Sequence, residues 1–224
     1  MPSPDKRIDI RLNAIVDPER AGGYDLVDLA RRVAEGGATL VQLRDKRRET
    51  RVMVREARAI RAALAKFKVP FVVNDRVDVA LAAAADGVHL GQDDMAVEDA
   101  RALLGPDAII GLSIRTAEEA EAAPVELIDY AGIGGVYATV SKEQKRPPIG
   151  PEGLVRVATV LRRRAGTLPL AGIAGIDAGN AGAVITAGAD GVAVISALSL
   201  DPDPAAAARR LREIVDAMLA KRGT

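Results

Sequence analysis

The residues best equipped for chemistry in this chain stand at the ends of short apolar runs. In Val41-Gln-Leu-Arg-Asp-Lys46, Gln42, Arg44 and Lys46 recur at period 2, so in a strand they share one face while Val41 and Leu43 take the other. An amide and two cations in a row suit an anionic ligand, and a Gln and an Arg inside a doubly buried strand are costly unless paired. The next two runs end in acids: Phe71-Val-Val-Asn-Asp75, and Val88-His-Leu-Gly-Gln-Asp-Asp94. Helix capping accounts for any single Asp of this kind. Two carboxylates on adjacent strand ends can instead share Mg2+, which keeps waters and takes its other ligands from substrate phosphates. On residue type alone, Asp75 pairs with either Asp93 or Asp94.

Further along, Ser113 follows Gly111 at the end of an apolar run, and the glycine-rich stretch 130–137 flows into Ala138-Thr-Val-Ser-Lys142. Thr139, Ser141 and Lys142 are well placed for an anion. The loop that follows holds Lys145, Arg146, Pro147 and Pro148 before Gly150, is longer than most connections, and is a candidate lid. Gly175 and Ser196 close the last two runs, where glycine permits close backbone approach to a phosphate. His89 is the only histidine and lies within a strand, which favours a core role over a catalytic base. The lysines, at 6, 46, 66, 68, 142, 145 and 221, include none in mid-strand, so a Schiff-base aldolase is disfavoured.

These groups need a scaffold that brings strand ends together. Strands are expected at 8–17, 38–45, 70–75, 87–91, 109–114, 129–137, 169–176 and 191–196, each rich in Val, Ile and Leu. Helical patterns lie between them at 25–35, 50–67, 77–84, 96–104, 116–123, 151–165, 177–187 and 204–221. Thr116 and Glu119 form a capping-box pattern, Pro151 suits a first helical turn, and Asp177 is a candidate cap. Spread over eight units, 224 residues give about 28 each, the signature of a (β/α)8 TIM barrel in a single domain spanning 1–224. An open doubly wound sheet would more often carry a glycine-rich fingerprint where this chain has Ile15-Val-Asp-Pro-Glu19. Ala83-Ala-Ala-Asp-Gly-Val-His-Leu90 is echoed at Ala187-Gly-Ala-Asp-Gly-Val-Ala-Val194, which suggests internal repetition.

Composition narrows the partners. Lys plus Arg and Asp plus Glu both total 31, and aromatics are 2%, so a basic, stacking nucleic-acid surface is not expected. The absence of cysteine removes disulfides, thiolate zinc sites and cysteine nucleophiles together. Met1-Pro-Ser-Pro-Asp-Lys-Arg7 leads into no long apolar run, so neither a membrane span nor a secretory signal is expected, and a cytoplasmic setting follows. Oligomeric state is left open, a homo-oligomer included.

Taken as an ordered set, Gln42-Leu-Arg-Asp-Lys46, Val73-Asn-Asp75, Ala85 to Asp94, Gly111-Leu-Ser113, Ala138 to Lys142 and Gly188 to Ser196 resemble the thiamine-phosphate synthase family over nearly the whole chain. The resemblance implies a (β/α)8 barrel with small phosphorylated substrates: a pyrimidine diphosphate and a thiazole phosphate joined by a dissociative carbocation route. It implies that Gln42, Arg44, Asp45, Lys46, Asn74, Ser113 and Lys142 hold the diphosphate, with Arg44, Lys46, Ser113 and Lys142 acting in catalysis. It further implies Mg2+ on Asp75 and Asp94, and thiazole phosphate on Thr139, Val140, Ser141, Gly175, Ile195 and Ser196. Ala174, Ser141, Arg115 and Gly135 depart from the usual family pattern. A related thiazole tautomerase and a phosphate-binding barrel without turnover are the alternative readings.

Overall fold

The structure, a computed structural model, describes residues 8–139, 141 and 146–223. Eight parallel strands close into a barrel in sequence order: β1 (Leu12–Val16), β2 (Leu40–Leu43), β3 (Phe71–Asn74), β4 (Gly87–Leu90), β5 (Ile109–Ile114), β6 (Tyr130–Ile133), β7 (Leu170–Ile173) and β8 (Gly191–Val194), with β8 pairing back onto β1. The helices between them are α1 (Leu26–Glu35), α2 (Thr50–Leu64), α3 (Val77–Ala83), α4 (Val97–Leu104), α5 (Ala117–Ala122), α6 (Gly150–Arg164) and α7 (Ala181–Thr186). After β8 come a short α8 (Ser196–Ser199) and the long α9 (Pro204–Arg222). The expected (β/α)8 architecture is therefore present.

Period 2 decides which side chains meet which layer. Val41 and Leu43 of β2, Val88 and Leu90 of β4, and Ile110, Leu112 and Ile114 of β5 join the core shared with the helices. Helix α2 answers with one apolar stripe, Met53, Ala57, Ile60 and Leu64. The alternate positions point inward, where Ile10, Leu40, Val72, Ile109, Tyr130 and Ala171 fill the amino-terminal half of the barrel. Above that plug the interior turns polar.

A repeated device ties the strands in pairs at the amino-terminal end. The residue before each even strand accepts a side-chain hydrogen bond from the amide at the start of the odd strand before it: Leu12 to Thr39 Oγ1 at 3.0 Å, Phe71 to Asp86 Oδ2 at 2.7 Å, Ile110 to Asp129 Oδ2 at 2.8 Å and Leu170 to Asp190 Oδ2 at 2.9 Å. Each of the four also donates its own amide back to the carbonyl of that same strand residue. The echoed Asp-Gly-Val segments hold two of these ties, Asp86 and Asp190.

Several boundaries differ from expectation. Every strand but β5 stops short at its carboxyl end, so Arg44 and Lys46 lie in the loop after β2 and Ser196 opens α8. The capping box at Thr116 and the first-turn Pro151 are formed. Asp177 does not cap α7, which starts only at Ala181. Instead its carboxylate accepts the Gly179 amide at 2.8 Å and its own amide donates to Asn180 Oδ1 at 3.0 Å, closing a turn. Among the described residues no helix is long and apolar enough to cross a membrane.

Candidate active site

The carboxyl ends of the strands gather most of the described candidates at one mouth. Asn74 ends β3 almost fully buried, and Asp75 follows it with φ of +60°, a left-handed turn that is uncommon for a residue with a side chain. The turn is held by the Asp75 amide, which donates to the His89 carbonyl at 2.8 Å, and it swings the carboxylate over the mouth. There Asp75 forms an ion pair with Lys46 and a side-chain hydrogen bond with Asp94. Burial, reinforced by Asp94 and opposed by Lys46, pushes the Asp75 carboxyl up to about 6. Asp94 is itself steadied by the Gly91 amide at 2.7 Å. Asp94, not Asp93, is thus the acid that meets Asp75.

Beside this cluster Arg44 reaches back to Asp17, whose carboxylate is 1% exposed at the end of β1. Asp17 escaped the reading of the sequence because one acid after a strand is most simply a cap, and it does accept the Glu19 amide at 2.9 Å. Asp45 is buried, and its carboxylate accepts the amides of Arg47 and Arg48 and pairs with the Arg48 guanidinium. Burial alone would raise its pKa, but those bonds outweigh it and hold the carboxyl below its usual range. Its oxygens serve the loop.

Below the mouth Gln42 is buried beside the Tyr130 hydroxyl. His89 Nδ1 lies 2.9 Å from that hydroxyl, and His89 Nε2 lies 2.9 Å from Ser113 Oγ. Ser113 is fixed further by its carbonyl, which accepts from Gln92 Nε2 at 2.7 Å.

Across the mouth a small cleft is lined by Thr139, Ser141, Ala174, Gly175, Ile195 and Ser196. Ser141 donates its amide to Thr139 Oγ1 at 3.1 Å and its hydroxyl to Ser196 Oγ at 3.2 Å. Gly175 has φ of +65°, and a Cβ there would collide with the Ala138 carbonyl, so only glycine fits. Ala174 takes φ of +88° despite its methyl group, a strained conformation beside the cleft. Val140 and Lys142 lie outside the described residues, as does Lys145 of the candidate lid. The two departures at Arg115 and Gly135 meet in space. The Arg115 guanidinium donates to the Pro147 carbonyl at 2.5 Å and lies where a Cβ on Gly135 would have to go.

A closed parallel barrel with cations, paired acids and hydroxyls at the carboxyl end of its sheet is the architecture of a (β/α)8-barrel enzyme. More narrowly, the chain belongs to the thiamine monophosphate synthase family, whose model matches residues 12–198. It is 49% identical over 96% of its length to a thiamine-phosphate synthase of Agrobacterium fabrum, covering 98% of that protein. It is 47% identical to a thiamine-phosphate synthase of Moorella thermoacetica, covering 91% of this chain and 95% of that one. Among solved structures, a thiamine phosphate pyrophosphorylase from Pyrococcus furiosus superposes with a TM-score of 0.82 at 38% identity, covering 95% of this chain and 98% of the other.

Proposed function

We propose that the chain is a cytoplasmic, Mg2+-dependent thiamine-phosphate synthase. It would join 4-amino-5-hydroxymethyl-2-methylpyrimidine diphosphate to 4-methyl-5-(2-hydroxyethyl)thiazole phosphate, giving thiamine phosphate and diphosphate. The observation that carries this reading is the Lys46–Asp75–Asp94 cluster at the mouth. Two facing carboxylates ionise together most readily beside a cation, and Lys46 stands at that position. A pair of acids with open positions also suits a hard cation that draws its other ligands from phosphate and water. When bound to Asp75 and Asp94, Mg2+ would neutralise charge on the diphosphate.

In this scheme the carbon–oxygen bond to the diphosphate breaks first, and both electrons leave with the oxygen. Arg44, Lys46 and Lys142 stabilise the charge growing on the leaving group, and Ser113 donates a hydrogen bond to it. Gln42, Asp45 and Asn74 hold the pyrimidine diphosphate, Asp45 also shaping the loop that presents Arg44 and Lys46. The thiazole nitrogen then attacks the pyrimidine-stabilised cation, so no protein nucleophile is required. Thr139, Val140, Ser141, Gly175, Ile195 and Ser196 receive the thiazole phosphate, in the place where this fold commonly binds phosphate, beside a short extra helix. Lys142 and Val140 enter by their motif alone.

Incubating the protein with both substrates and Mg2+ and measuring diphosphate release tests the reading. Release that needs both substrates supports it. Thiazole isomerisation alone would point to a tautomerase, and binding without release to a barrel that has lost turnover.

A further inference from the structure

A chain of polar contacts crosses the barrel interior beneath the mouth, from Gln42 through Tyr130 and His89 to Ser113. Tyr130 is fully buried and His89 is 6% exposed. Their rings stack with centroids 5.4 Å apart. Two strand glycines make the room. A Cβ on Gly111 would overlap the Tyr130 ring, and one on Gly132 would stand 3.1 Å from His89 Cε1. Glycine weakens a strand interior, so its use on two neighbouring strands marks a place where the rings must fit.

Proton counting gives the chain a direction. The Tyr130 hydroxyl is fully buried, and His89 Nδ1 is the hydrogen-bond partner that the described residues give it. Burial holds that phenol far above its ordinary pKa, with Gln42 only partly opposing it, so the hydroxyl keeps its single proton. Were Nδ1 to carry the ring proton, the buried phenol O–H would be left without an acceptor, so the phenol proton goes to His89 Nδ1 and the ring proton sits on Nε2. Nε2–H donates to Ser113 Oγ, and the serine proton is left to point outward. With the opposite polarity Ser113 would donate inward and turn only lone pairs toward an incoming anion.

We propose that His89 is a positioning residue. Held by Tyr130 as the Nε2–H tautomer, it fixes Ser113 as an outward-facing hydrogen-bond donor to the diphosphate. The identity of that ligand rests on the transferase reading above; the tautomer and the orientation of Ser113 do not.

Because His89 is the only histidine, 15N-histidine labelling reports one ring without ambiguity. The wild-type protein at neutral pH should show a single Nε2–H tautomer. Tyr130→Phe removes one buried oxygen and should mix the tautomers. It should also lower kcat by about 10-fold, while KM for the pyrimidine diphosphate changes by less than about twofold. His89→Gln, which can present an amide N–H in place of Nε2–H, should retain roughly 10-fold more turnover than His89→Ala. An Nδ1–H or doubly protonated ring in the wild type would overturn the proposal, whatever the turnover. So would a Tyr130→Phe enzyme with unchanged kcat, or a His89→Gln enzyme no better than His89→Ala. Absence of diphosphate release from the wild type would overturn the transferase reading and the named ligand, while the ring spectrum still decides the polarity of the chain.

Discussion

At the scale of single residues, Asp75 combines a left-handed backbone, an acid neighbour and a lysine partner. Its raised pKa, which burial chiefly causes, has a definite sign in stability. The folded protein binds the Asp75 proton more tightly than the unfolded chain does. The resulting contribution is fully present below the unfolded carboxylate value and is lost as pH rises through about 6. A cation bound to the ionised pair would restore it. Thermal melts should therefore show a larger Tm gain from Mg2+ at about pH 7.5 than at about pH 5. An equal gain at both would detach Mg2+ from Asp75. The chemistry of Gln42, Arg44 and Lys46 was legible from residue type, but their shared strand face was not, because only Gln42 lies in β2 and the two cations stand in the loop after it. Nor was the choice of Asp94 over Asp93 legible, because it depends on a left-handed turn at Asp75 and on a bond across strands. Tyr130 likewise gave no local sign of its partner His89, which lies 41 positions away.

At the scale of elements, sequence patterning placed the strands well but overran the carboxyl ends of all but β5. The polar residues that extend the period beyond β2 belong to the loop, where the Arg44 amide makes its bond to the Val16 carbonyl and Arg44 turns toward Asp17. The short α8 was hidden because Ser196 to Ser199 is too brief to show a period. Loop anchoring was also invisible. Arg115 after β5 clasps Pro147, which precedes α6, and Gly135 leaves the space for its guanidinium. Gly135 has φ of +76°, so Gly135→Ala adds both backbone strain and a clash. It should cost about 1–2 kcal/mol in chemical denaturation and displace Arg115. Arg115→Ala, which vacates the same space, should reduce the penalty of Gly135→Ala in a double-mutant cycle, and strict additivity would mean that the two positions are not coupled.

At the scale of the molecule, the two ends of the barrel do different work. Arg101 and Asp129 form a buried ion pair at the amino-terminal end, 8% and 1% exposed. The same guanidinium gathers the carbonyls of Gly105, Pro106, Ala108 and Leu127. Removing one partner strands the other charge in the interior. Arg101→Ala should therefore cost about 3–5 kcal/mol of stability. Because the mouth lies at the opposite end, kcat of the folded fraction should hold, and a loss of kcat without loss of stability would contradict that division of labour.

The four strand-pair ties have a consequence for how the chain reaches this form. Their partners are only 27, 15, 19 and 20 positions apart, whereas closing β1 onto β8 brings Leu12 to Val192. Short loops close at lower entropic cost than long ones, so each β-α-β doublet can find its register as soon as its two strands exist. Doublets can form in turn as the chain emerges during synthesis, with the ring sealed last by the one pairing that must wait for the far end.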